Sequence, residues 1–103
     1  MGLTPDEKKR IADFMGWPET LNGSFINKNG CRDSFDLNDA GLCVVEMTKR
    51  KCEGDFMCHA GNIWIASGEL IDLSIWLFTT ESDEATNFFR AFSEFIKQEE
   101  GNE

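Results

Sequence analysis

The chain has 103 residues, 41% of them hydrophobic, and a formal net charge of −9. That length and apolar content suit one domain with one core, and no stretch nears the ~18 apolar residues of a membrane helix. Residues 1–10 lack the apolar region of a secretory signal, so the reading is a protein of the cytoplasm with no membrane contact and reduced cysteines. Residues 1–51 carry balanced charge, whereas residues 52–103 hold eleven carboxylates against Arg90 and Lys97 alone. Such a half repels phosphates, which argues against direct nucleic-acid binding and for a basic partner.

In chain order, Thr4-Pro5-Asp6-Glu7 predicts a helix start: Thr4 caps, Pro5 suits the first turn and Glu7 completes a capping box. Ile11, Phe14 and Met15 continue at helical spacing to Gly16, which gives a helix over 5–15. A long connection spans 18–35, with Phe25-Ile26 as a short edge strand and Asn29-Gly30 as its strongest turn. A second helix follows over 39–51, with Asn38 as cap, Leu37 and Leu42 as a staple, and Ala40, Gly41, Cys43, Val44 and Met47 on the buried stripe. Gly41 lowers helix propensity there, which suggests a close approach to a sheet.

Residues 56–59, 63–66 and 70–79 read as three strands separated by the glycine-containing stretches Ala60-Gly61-Asn62 and Ser67-Gly68-Glu69, hence an antiparallel meander. In the last, Ile71, Leu73, Ile75 and Leu77 alternate with Asp72, Ser74, Trp76 and Phe78, which predicts a central strand. Ser82 caps a closing helix over 83–98, whose Ala85, Phe88, Phe89, Phe92, Phe95 and Ile96 make a core stripe, before a polar tail over 99–103. The expected fold is therefore α+β: one domain with a three- to four-stranded antiparallel sheet layered with three helices, sandwich-like.

Ile11-Ala-Asp-Phe-Met-Gly-Trp17, Asp36-Leu-Asn-Asp-Ala40 and Val44-Val-Glu-Met47, in this order, resemble the small phage proteins of the phage ABA sandwich domain family. The closing helix departs from that pattern in being rich in phenylalanine, and Gly41-Leu42 stands where a tryptophan would be expected. The resemblance implies a phage or prophage origin, a helix–sheet–helix layering and a bacterial host cell. It implies no general activity.

No phosphate loop, metalloprotease helix or paired-carboxylate motif is present, and a single histidine leaves a nucleophile without an obvious base, so no enzyme and no cofactor are expected. A zinc site from Cys31, Cys52, Cys58 and His59 is a weak alternative, because Cys58 and His59 would point to opposite faces of a strand. The favoured reading is a small acidic interaction protein that binds and inhibits or redirects a basic host protein, with acidic mimicry of nucleic acid as one form. Trp64, Glu69, Asp72, Trp76, Glu81, Asp83, Glu84 and Glu94 would supply that surface, through aromatic contact area and carboxylate steering. Two alternatives stay open: a small-ligand module using Trp17, Lys28 and Arg32 for an anion, and a homodimer sealed through the Trp76–Phe78 face.

Overall fold

The structure, a computed structural model, describes residues 3–68, 70–78 and 85–101. Helix α1, Pro5–Met15, begins at the expected capping box: the Glu7 amide donates to Thr4 Oγ1 at 3.2 Å and the Thr4 amide to Glu7 Oε1 at 2.9 Å. It stops at Gly16, whose φ of 74° belongs to the left-handed region that glycine enters without a Cβ penalty.

The connection then forms a hairpin from β1, Phe25–Asn27, and β2, Gly30–Arg32, paired antiparallel with Phe25 opposite Arg32 and Ile26 opposite Cys31. Lys28 and Asn29 make its two-residue loop, and Gly30 takes a positive φ of 107°. Helix α2 runs Leu37–Lys49 and begins earlier than the sequence suggests. Its cap is Asp36 rather than Asn38: the Asp36 carboxylate accepts from the Asn38 and Asp39 amides at 2.9 and 3.1 Å, and the Asp36 amide donates back to Asp39 Oδ2 at 3.0 Å. Leu37 is 43% exposed and so does not staple the turn; Ala40, Cys43 and Met47 are buried as expected, whereas Val44 is half-buried and Gly41, expected on the same stripe, is exposed.

The chief correction concerns the second half. The expected three- to four-stranded sheet does not form; the hairpin is the whole sheet among the described residues. Residues 56–59 and 63–66 lie within one helix, α3, Glu53–Ser67, and most of the expected central strand is a short helix, α4, Leu73–Phe78. Helix α5, Thr86–Gly101, closes the fold, and the expected cap Ser82 lies outside the described residues. The layering implied by the phage-family resemblance is overturned with the sheet. Gly41 approaches no sheet either, since a Cβ added there would meet nothing within 4 Å.

Helical spacing explains the buried set. On α3, Phe56 and Ala60 face inward with Ile63 and Trp64 half-buried behind them, and on α4 the stripe is Leu73, Trp76 and Leu77. Both stripes dock on α5, which also packs along α1. The core is built of phenylalanine: Phe56 lies 5.3, 5.8 and 5.8 Å from the rings of Phe88, Phe92 and Phe95. Phe35 joins Trp17, Phe25 and Phe89 at 5.2, 5.9 and 5.3 Å, which seats the hairpin end of the molecule on the same helix.

Candidate functional site

A cleft of about 360 Å³ opens where α1, α3, α4 and α5 meet. Ile63 and Trp76 form apolar wall and Ala91 lies on the α5 side, while Glu7, Arg90 and Glu94 bring charge to it. Each is placed by local structure. Glu7 is turned by the capping box, which uses one carboxylate oxygen. Trp76, 7% exposed, is held on α4 by its amide donating to the Asp72 carbonyl at 2.9 Å, while Asn87 Nδ2 donates to its carbonyl at 2.8 Å. Arg10 donates to Ser93 Oγ at 3.0 Å and ties α1 to α5 beside it.

The same α3–α4 unit leaves large apolar side chains in solvent: Ile65 is 71% exposed, Leu70 100% and Ile75 57%, with Ile71 and Phe78 also exposed. The corner is ordered by Trp64, whose Nε1 donates to the Ile71 carbonyl at 2.9 Å, and by Ser67 Oγ donating to the Trp64 carbonyl at 2.6 Å.

Of the residues expected to bind a partner, the structure brings Trp76 and Glu94 into one cleft and puts Trp64 and exposed Asp72 at the α3–α4 corner. Glu69, Glu81, Asp83 and Glu84 lie outside the described residues. Glu7 and Ile63 were not foreseen as cleft residues; Glu7 stood in the sequence solely as part of a cap.

A second, smaller cleft of about 220 Å³ lies between α1, the hairpin loop and α2, and both Trp17 and Lys28 line it. Arg32 is not there. Its Nε donates to Asp39 Oδ2 at 3.1 Å and its Nη2 bonds Asp36, so it closes a polar knot under the hairpin. Asp39, fully buried, also accepts from Asn27 Nδ2 and Asn29 Nδ2 at 2.9 and 3.1 Å. Burial works against the charge on both Arg32 and Asp36. The bonds they make outweigh it: Asp39 and Asp36 raise the Arg32 pKa, while the Asp39 amide and Arg32 lower that of Asp36.

The four cysteines are free thiols. Burial, reinforced by the Asp39 charge, pushes the Cys43 thiol well up, and burial also raises Cys52, so neither is poised as a thiolate. Cys58 is exposed on α3 beside half-buried His59, whose ring rests 6.2 Å from Phe95. Their separation comes from the helical rotation between neighbours, not from a strand. Among the described residues no group of three or more His, Cys, Asp or Glu could hold a metal ion, and no helix is long and apolar enough to cross a membrane.

Among the described residues, the fold and its clefts are thus those of a small helical domain with one hairpin. No family model, no curated protein and no solved structure matches the chain.

Proposed function

We propose that this chain is a protein-binding module whose α3–α4 corner and adjoining cleft receive a basic, apolar segment of another protein. The observation that carries the reading is the exposure of Ile65, Leu70, Ile71, Ile75 and Phe78 within one short stretch. Burying one such side chain at an interface is worth about 1.5–3 kcal/mol, so three of them supply the core of a stable contact.

Charge selects the partner. From residue 52 to 89 the sequence contains seven carboxylates and neither Lys nor Arg, so an approaching basic segment meets no like charge from this stretch. In the cleft, a Lys or Arg of the partner lays its aliphatic stem along Trp76, Ile63 and Ala91 and places its cation by Glu94 and Glu7. With the phage-type resemblance, the partner becomes a basic protein of a bacterial host, bound and thereby inhibited or redirected.

The test is capture from bacterial lysate at low and high salt with the parent chain, the double variant I71S/I75S and E94K. All three changed positions are exposed. The reading expects one basic protein, released by salt and lost with both variants. Retention of an acidic protein, survival of binding in both variants, or capture of the chain's own copies alone would refute it.

A further inference from the structure

The second cleft has no part in that reading, and its walls are differently made. Leu42 and Val45 on α2 and Met15 at the end of α1 give an apolar floor, Val45 being 53% exposed, and Trp17 closes one side. Two ammonium groups stand at its rim, Lys28 on the hairpin loop and Lys49 in the last turn of α2. Among the described residues neither makes an ion pair or a hydrogen bond. The one carboxylate on the cleft, Glu46, is taken by Arg50, whose Nε donates to Glu46 Oε2 at 2.7 Å.

The hairpin loop that carries Lys28 is fixed. Asn27 and Asn29, on either side of it, both donate to buried Asp39, and the Asn29 amide donates to Asn27 Oδ1 at 2.7 Å. One lysine thus projects from a loop locked to α2 and the other from α2 itself, and their backbones cannot drift apart. Two ammonium groups on fixed backbones beside apolar side chains, with the neighbouring Glu46 carboxylate paired to Arg50, make a place for a ligand that carries both features.

We propose that this cleft binds a small organic carboxylate with an apolar body, the carboxylate bridging Lys28 and Lys49 and the body resting on Leu42, Val45 and Met15 against Trp17. Size agrees: a cavity of ~150 Å³ accepts a benzene ring, and about 220 Å³ adds room for the head group. A bare inorganic anion would leave the floor wet, and an uncharged hydrocarbon would leave both cations unanswered, so neither matches the lining as well.

The probe is phenylacetate, followed by amide NMR on the whole chain, with phenethyl alcohol and phenethylamine alongside. Phenylacetate is expected to move the amides of Lys28, Val45 and Lys49, with the alcohol weaker and the amine weakest, and added salt to weaken the carboxylate alone. The double variant K28Q/K49Q, which changes two exposed side chains, should bind phenylacetate roughly fivefold more weakly, as expected for two solvent-facing charge contacts. V45E should abolish the shifts while its melting curve stays that of a folded protein. Equal shifts by acid and alcohol, an unchanged affinity in K28Q/K49Q, or shifts confined to other residues would each overturn the proposal. None of these outcomes bears on the α3–α4 surface, which lies on other helices.

Discussion

Removing the Asp39 carboxylate should unlock the hairpin from α2, and the structure gives the size of the effect. Asp39 is fully buried and accepts four hydrogen bonds, from Asn27, Asn29, Arg32 and the Asp36 amide. Breaking a buried charged pair costs about 3–5 kcal/mol when the remaining partner is stranded. Arg32 is not stranded: its side chain is 24% exposed and keeps Asp36, and exposed Asn29 can turn to water. The lower end of the range therefore applies, and D39A is expected to lose about 3 kcal/mol. For a domain of this size that lowers Tm by about 12–24 °C. D39N, which keeps the shape and one carbonyl, should lose about 1–2 kcal/mol. Urea titration and thermal melts followed by circular dichroism measure both, and a cycle with R32Q should show a coupling of at least about 1 kcal/mol. A loss below about 1 kcal/mol in D39A would mean that the knot is ornamental and that packing of Phe25 and Phe35 alone seats the hairpin.

Two further expectations concern glycine and acid. Gly16 and Gly41 should respond to alanine with opposite signs: at Gly16 the left-handed φ of 74° makes G16A cost about 1 kcal/mol, whereas G41A, in a helix interior with nothing within 4 Å, should gain about 0.5–1 kcal/mol. Thermal melts of the pair decide it, and equal signs would contradict the assignment of Gly16 as a C-cap. The folded Asp36 pKa lies below its ordinary 3.8, so its contribution is complete above that value and is lost as pH falls through the folded one. Urea midpoints should thus fall below about pH 4, and D36N should flatten that fall while lowering stability at neutral pH.

Local chemistry made the first half legible. Thr4, Pro5, Glu7 and Gly16 act over a few residues, and α1 spans the expected 5–15; the Phe25-Ile26 strand also stands where its residue types place it, while the turn falls on Lys28-Asn29, one residue before the expected Asn29-Gly30. The phenylalanine stripe of α5 needed no tertiary information, because Phe88, Phe89, Phe92 and Phe95 fit a single helical face. The second half misled for an identifiable reason. Ile63-Trp64-Ile65 and the alternation from Ile71 to Leu77 have strand composition, and Gly61 and Gly68 sit where hairpin turns would fall. Yet Phe56, Ala60 and Ile63 already stood at helical spacing, as did Leu73, Trp76 and Leu77. The ambiguity arises because Ile65, Ile71 and Ile75 are apolar and exposed, so the pattern that normally separates the two periods is blurred by the residues proposed to bind. The candidate cleft was legible in Trp76 and Glu94 but not in Glu7, which arrives from the far end of the chain.

The pairing of α1 with α5 also sets a timetable for synthesis. Phe14 rests on Phe92 at 5.3 Å and Arg10 reaches Ser93, yet about seventy residues separate the end of α1 from the start of α5. At ~5–20 residues per second, α1 leaves the ribosome roughly 4–14 s before its packing surface is made. An eleven-residue helix is marginal in water alone, so through that interval Ile11 and Phe14 have no permanent shelter. A nascent chain halted before Phe88 would leave the core phenylalanines Phe35 and Phe56 waiting as well, and such a chain is a natural client for chaperones and proteases.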